Sequence, residues 1–301
     1  MKLLLSAAVV HCLFVAALAD EPRVVLDVGS DRAEVQIGGE PFAVYNFADD
    51  LPKPFFSPVH GPGGIVVTRP IEDPEDHPHH KGIWVSVDEV NEVDFWAERG
   101  KIDNVSVEAI VPSGNPAKLQ VKNHWLGGDG NPVVTETTVI GIHANRLLTY
   151  DITFSAGEEQ VTFDDTKEGL FGFRMADSMR EREGGHVFNA NGLEGSGACW
   201  GRPSYWVDYY GEVDGTTQGV ALFDHPLNFR PSRYHVRNYG LFSISPFGER
   251  AYTSGRRPAD PVVLMPGRSL RLRYAIYLHA GDTQAAKVAD VYQDYLMQDD
   301  N

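Results

Sequence analysis

The feature that most constrains this chain is a succession of short apolar runs in which hydrophobic and polar residues alternate, cut apart by Gly, Pro, Asn and Asp. Such runs cover 23–28, 33–37, 42–45, 65–68, 105–111, 119–124, 133–143, 146–154, 160–163, 219–223, 241–246 and 269–278. Alternation with period two puts successive side chains on opposite faces, which suits a half-buried strand and not a helix. Gly127-Gly128-Asp129-Gly130-Asn131-Pro132 reads as a hairpin turn between two of these runs. The spacing predicts an all-β fold, a large two-sheet antiparallel β-sandwich. One short helix is expected at the C-terminal end, over 283–297. There Ala285, Val288, Ala289, Tyr292, Tyr295 and Leu296 make one apolar stripe and Asp282 is placed as a cap. No break in composition marks a linker, so residues 20–301 read as a single β-sandwich domain.

Residues 1–19 read as a secretory signal peptide. Lys2 precedes an apolar run that ends near Ala16, and Ala17-Leu18-Ala19 supplies small residues at the recognition positions. The expectation is an exported protein, periplasmic or secreted. No membrane insertion is expected, because no later stretch approaches the roughly 20 apolar residues of a span. Without the signal, Cys199 is the remaining thiol, and stability must come from a core instead of a disulfide. The formal charge of −16 excludes nucleic acid and anionic lipid as natural partners. A small-molecule or glycan substrate is compatible with it. Nothing in the sequence specifies an oligomeric state.

Chemistry concentrates in Asp76-His77-Pro78-His79-His80-Lys81-Gly82-Ile83-Trp84. Imidazole changes its charge near neutrality and is also the commonest metal ligand, while His and Lys are poor core material. His77, His79 and His80 are therefore candidate catalytic residues, with Lys81 and Trp84 as substrate contacts. If the segment is extended, His77 and His79 share one face and His80 takes the other; Pro78 favours a strand edge or loop. Proton transfer, sugar binding, a metal site and a hydrogen-bonded structural loop all remain open. No motif implies a cofactor, and a metal held through the histidine cluster would need a third ligand from elsewhere, such as His225 or His235.

A second concentration is Asp224-His225-Pro226-Leu227-Asn228, which repeats the Asp-His-Pro tripeptide, followed by His235-Val236-Arg237-Asn238-Tyr239. In a strand His235, Arg237 and Tyr239 point the same way, and a guanidinium beside an imidazole can hold a carboxylate or polarise a hydroxyl oxygen. His225, His235 and Arg237 are added as catalytic candidates, and Asp224, Asn228 and Tyr239 as binding residues. Glu168 and Arg174 offer a carboxylate and a second cation. Trp200, Arg202, Trp206 and Asp208 lie in an aromatic-rich stretch suited to stacking on a sugar ring. Cys199 reads as a small buried residue, and Asp88 to Asn91 as loop geometry.

These stretches, together with Val93-Asp94-Phe95-Trp96 and the segment from Asp165 to Arg174, resemble a family of exported bacterial proteins labelled the PmoA family, or methane-oxygenase-like. Lys81 stands where arginine is more frequent in that pattern, which keeps the positive charge. The architecture is similar to the galactose-mutarotase-like supersandwich, a two-sheet fold common in sugar epimerases, lyases and hydrolases. Taken with the residues above, that architecture points to an exported carbohydrate-active enzyme, a hydrolase, lyase or epimerase, that uses histidine as general acid or base. A histidine-cluster metalloenzyme of oxygenase type and a non-catalytic glycan-binding module are the alternatives.

Overall fold

The computed structural model describes residues 22–72 and 74–298; the expected signal peptide lies outside the described residues. Two large antiparallel sheets form the sandwich. One has nine strands in the order Arg233–Val236, Leu241–Ser245, Phe171–Arg174, Ile83–Val85, Phe55–Val59, Glu40–Asn46, Arg32–Ile37, Val24–Val28 and Ser113–Gly114. The other has eight, in the order His186–Asn189, Trp206–Val213, Thr216–Asp224, Ser269–Ala280, Leu147–Ser155, Pro132–Ile142, Ala117–Leu126 and Lys101–Val111. Four short strands, Val262–Leu264, Val161–Phe163, Glu89–Val90 and Val93–Asp94, make a small third sheet. The fold is the expected all-β sandwich with a short C-terminal helix.

Aromatic residues from both sheets meet in the core between them. The Tyr150 and Phe171 rings lie 4.3 Å apart across it, the Tyr234 hydroxyl donates to the Leu222 carbonyl at 2.9 Å, and Phe95, from the turn after Val93–Asp94, packs its ring 5.0 Å from that of Trp125. Full burial of each such ring contributes about 2–3 kcal/mol relative to exposure. The eight-stranded sheet buries its outer face as well. There Leu147, Ala221, Phe223 and Ala275 pack against Val288, Tyr292 and Tyr295 of the helix Val288–Met297.

Two details differ from the sequence expectations. Residues 65–68 make two isolated bridges, His60 with Val66 and Thr68 with Met175, in place of a strand; Pro62, Gly63 and Gly64 before the run and Pro70 after it interrupt pairing. The regular helix begins at Val288 and not at 283, because Lys287 sits at φ 52. Asp282 does cap, but it caps the turn before the helix: its Oδ1 accepts the Gln284 and Ala285 N–H groups at 3.0 and 2.8 Å.

One end of the nine-stranded sheet owes its outer surface to strand register. His235 pairs with Ser243, Ser243 with Gly172 and Gly172 with Trp84, so these four residues form one row across four strands. The adjacent residues Phe171, Phe173, Tyr234, Val236, Phe242 and Ile244 belong to the core between the sheets. Side chains alternate along a strand, so the His235–Trp84 row faces away from that core. Gly172 is needed in this row: a Cβ there would lie 2.7 Å from the Trp84 indole, which lies flat over the glycine.

Candidate active site

The outer face of this sheet end is roofed by the loop that carries the histidine cluster. The loop is a turn and not an extended strand, since the His80 N–H donates to the His77 carbonyl at 2.9 Å and His77 has φ 42. Arg69, 4 % exposed, fixes its backbone by donating to the carbonyls of Asp76, His77 and His80 at 2.8, 2.9 and 3.1 Å. Gly82 carries the chain down into the sheet at φ 55, where a Cβ would lie 1.8 Å from the Phe56 carbonyl oxygen.

The turn stacks four rings. His80 lies parallel to Trp84 at 5.4 Å and to His77 at 4.7 Å, and His77 lies on Tyr239 at 5.0 Å. His79 meets the stack edge-on, 4.5 Å from His80. The extended alternative, with His77 and His79 on one face, is thus replaced by a turn that pairs His77 with His80. Trp96 closes the side of the stack, 5.1 Å from Trp84.

Charge is arranged around the stack. Asp76 accepts from Arg69 and from Arg174, each at 2.7 Å, and its carboxyl is held below the usual range: burial opposes ionisation, but Arg174, His77 and Arg69 outweigh it. Arg174 Nη1 lies 3.4 Å from His80 Nδ1, so that nitrogen accepts and the proton sits on Nε2. The buried ammonium of Lys53 donates to the His79 carbonyl at 2.8 Å, lies 3.1 Å from Glu98 and sits 5.3 Å above Trp84. Burial pulls it down to about 8, against the attraction of Glu98. Lys81 also pairs with Glu98, at 2.7 Å.

His79 is half-buried, with no hydrogen bond from its ring among the described residues. Burial, then the nearby Lys53 and His77, lower its pKa to about 4. At neutral pH the ring is uncharged and able to take a proton. His80 is pushed down further, by burial and by His79 and His77.

The second cluster adjoins the first. His235, 1 % exposed, accepts from Arg237 Nε at 2.8 Å through Nε2, while Nδ1 lies 3.0 Å from the Lys167 carbonyl and 3.2 Å from Glu168. Because a guanidinium donates only, His235 carries its proton on Nδ1. Glu168 also contacts Lys167; burial would raise its pKa, but His235 and Lys167 bring it down to about 2. Arg237 lies 5.6 Å over Trp200 and leaves its terminal nitrogens without a hydrogen bond among the described residues. Glu168 is within electrostatic reach of both His79 and Asp88. Burial, then Asp94 and Glu168, push Asp88 up to about 6.

Asp76, His77, His79, His80, Lys81, Trp84, Glu168, Arg174, Trp200, His235, Arg237 and Tyr239 therefore gather on one face. The other candidates lie elsewhere. Asp208, fully buried, holds His279 at 2.9 Å and Thr283 at 2.6 Å under the start of the C-terminal turn. Trp206 packs against the helix cluster. Asp224 accepts from the Ser232 N–H and the Asn228 amide, both at 2.8 Å, and Asn228 also donates to the Arg273 carbonyl at 2.9 Å. His225 Nδ1 accepts the Leu227 N–H at 3.1 Å, and its ring meets Tyr295 of the helix edge-on. These side chains close turns or pack on the helix side of the molecule, so His225 as a catalytic candidate and Asp224, Asn228, Trp206 and Asp208 as binding candidates are corrected: they stand apart from the face that carries the histidine cluster. Arg202 is exposed beside Trp200.

Sequence reasoning missed Arg69, Lys53 and Glu98, and took Asp88 for loop geometry alone. The one local signal for the first two is a cation beside proline, in Thr68-Arg69-Pro70 and Pro52-Lys53-Pro54. Cys199 is buried as expected, and its thiol is pushed up to about 11 by burial and by Glu181.

A family model spans residues 32–293, which includes every residue of this face. The chain belongs to the family of unknown function DUF6807. That match overturns the resemblance to the PmoA or methane-oxygenase-like family. The stretches that carried the resemblance all lie within the matched residues, and two of the histidines in the first of them are stacked face to face. No curated protein matches the chain. Among solved structures, it is similar to the galactose 1-epimerase from Lactobacillus acidophilus NCFM, with 7% identity, a TM-score of 0.45, and 86% of this chain and 98% of the other covered. It is also similar to the GalM/aldose epimerase homologue from C. elegans, with 9% identity, a TM-score of 0.38, and 87% and 100% covered. Likeness this distant leaves the chemistry to be read from the side chains. Among the described residues, no helix is long and apolar enough to cross a membrane.

Proposed function

We propose that this DUF6807 protein is an exported carbohydrate-active enzyme that works by proton transfer, with His79 as the proton-accepting group. The observation that carries the reading is the environment of His79. It is an imidazole kept neutral, half-exposed and without a hydrogen bond, within electrostatic reach of an ionised Glu168 that in turn holds His235 and, through it, Arg237. Groups whose environments push their pKa values apart are the usual division of labour between acid and base. Asp88, at about 6, is the carboxyl that still holds a proton in mildly acidic solution. Arg237, fixed by His235 and through it by Glu168, is placed to stabilise negative charge growing on a substrate oxygen. His79 is a weak base because burial, and then Lys53 and His77, disfavour its protonated form; negative charge brought to this face by a substrate strengthens it.

A hydroxylated ring suits this face, because the guanidinium donors of Arg174 and Arg237 lie against the aromatic rings of Tyr239 and Trp200. The metalloenzyme reading has less support. Among the described residues no three His, Cys, Asp or Glu side chains are grouped to hold an ion. His77 and His80 lie parallel within 5°, so their in-plane lone pairs do not converge on one point.

The test is turnover of aldoses, glycosides and uronate-containing oligosaccharides by the purified protein, followed by polarimetry, reducing-end release and ultraviolet absorbance of new double bonds. These separate epimerisation, hydrolysis and elimination. His79→Gln is expected to lower kcat at least about 100-fold, the ordinary contribution of a positioned acid or base, with an unchanged melting temperature. Full activity in that variant, or saturable sugar binding with no turnover, would overturn the enzyme reading.

A further inference from the structure

Next to the histidine face lies a cavity of about 400 Å³ bordered by Trp200, Arg202, Arg233, Tyr252, Arg256 and Arg257. Four guanidinium groups around one hollow are unusual in a chain of net charge −16. A single carboxylate, Glu249, serves two of them. It takes Arg233 through a fork at 3.0 and 2.9 Å, and Arg257 at 2.8 Å. Arg233, 8 % exposed, also donates to the Gly201 carbonyl at 2.8 Å. Arg202 and Arg256 are exposed and have no carboxylate partner among the described residues. The hollow thus keeps a positive excess in a chain that is acidic as a whole. The buried indole N–H of Trp200 adds a donor with no hydrogen-bond partner.

The same wall joins the cavity to the proposed active face. Trp200 lies edge-to-face with His235 at 6.1 Å and beneath Arg237 at 5.6 Å, and it packs on Tyr252 at 5.6 Å. The Lys167 carbonyl accepts both the Tyr252 hydroxyl at 2.6 Å and His235 Nδ1 at 3.0 Å.

We infer that the arginine-lined cavity is an anion subsite adjoining the proposed active face, and that the substrate is a negatively charged glycan whose carboxylate or sulfate ester is held by Arg202 and Arg256. This rests on the carbohydrate reading above. Guanidinium groups bind planar or tetrahedral oxyanions through paired donors. An unpaired arginine in a chain with so many carboxylates is most simply kept for a ligand that brings its own negative charge. Binding at an exposed site of this kind weakens as salt screens it.

The experiment uses the full chain and the double variant R202A/R256A, with three glycans on one backbone: neutral, uronate-bearing and sulfated. Inorganic sulfate serves as a probe independent of any sugar. Expected is a sulfate-dependent rise in Tm that disappears in the variant. One of the two charged glycans should bind at least about tenfold more tightly than the neutral one, as charge-assisted contacts do. Which one does so identifies the oxyanion, and the advantage should vanish in the variant. Equal stabilisation of both proteins by sulfate, or charged glycans that bind the unaltered chain no better than the neutral one, overturns the subsite. The two readings fail separately. Anion-dependent binding without turnover removes the enzyme and keeps the cavity, whereas a His79-dependent turnover indifferent to substrate charge removes the cavity and keeps the enzyme.

Discussion

The tripeptide Asp-His-Pro occurs at 76–78 and again at 224–226, and the two copies sit in opposite electrostatic settings. Asp76 is partly exposed and clasped by Arg69 and Arg174, both buried cations, so its carboxyl is held low. Asp224 is 5 % exposed, and it is held by N–H and hydroxyl donors from Asn228 and Ser232. Burial pushes it up to about 6. The following histidines diverge in the same way. His77 is one ring of a stack on the proposed active face, whereas His225 accepts a backbone N–H two residues on and packs against the C-terminal helix. Identical residues acquire different roles because one copy meets guanidinium groups from two other parts of the chain and the other meets neutral donors.

The largest effect that would break this contrast comes from neutralising each carboxylate. Asp76→Asn removes the carboxylate that two buried guanidinium groups share, and it is expected to cost about 3–5 kcal/mol of stability in urea unfolding. Asp224→Asn at neutral pH removes a charge that burial already penalises, and should change stability by less than about 1.5 kcal/mol, the scale of one hydrogen bond. Equal costs would erase the distinction.

The pH dependence sharpens it next. Asp224 has a folded-state pKa above its unfolded one, so the fold binds its proton more tightly. Its contribution is present below about pH 4 and is lost as pH rises to about 6. The stability difference between the unaltered chain and Asp224→Asn should therefore fall by roughly 3 kcal/mol between pH 4 and pH 7, at about 1.4 kcal/mol per pKa unit. Asp76 has the opposite sign: its contribution is complete above its unfolded pKa and is lost as pH drops through its lower folded value. A flat difference for Asp224 across pH 4–7 would show that it titrates as an exposed carboxyl.

A smaller effect tests the floor of the active face. Gly172→Ala puts a Cβ against the Trp84 indole and tilts the ring stack above it. The cost is expected at about 1–3 kcal/mol, typical of overpacking, with a matching loss of turnover; a fully active, fully stable variant would show that the stack is not needed. The smallest change is expected on the other side. His225→Ala removes the acceptor of one backbone N–H, at about 1 kcal/mol, and should leave kcat within about twofold. A large loss of kcat there would move the active region to the helix side.

Burial explains which strands are legible in the sequence. Arg32–Ile37 and Ala117–Leu126 alternate between buried and more exposed residues, and such strands can be read directly. Phe171–Arg174 and Arg233–Val236, which carry the proposed active face, are buried at every residue. They lack the period-two signal because this part of the sheet is covered on both sides. The histidine cluster stands out because polar residues are rarely packed so densely without a task. Lys53, Arg69 and Glu98 do not, because an isolated charge in a sequence looks like any solvated one until its partners are known.

The order of polar and apolar residues along the chain was enough to determine a β-sandwich with a terminal helix, the hairpin at Gly127–Asn131 and a concentration of imidazoles at 77–80. Those are local matters, set by alternation, turn chemistry and composition within a few residues. Only the tertiary structure decided that Glu168, Arg174, His235 and Arg237 join that concentration while Asp224 and His225 leave it. The reason is sheet register: pairing of His235 with Ser243, Ser243 with Gly172 and Gly172 with Trp84 brings together four strands from three distant parts of the chain, and a shift by one residue would turn every one of them into the core.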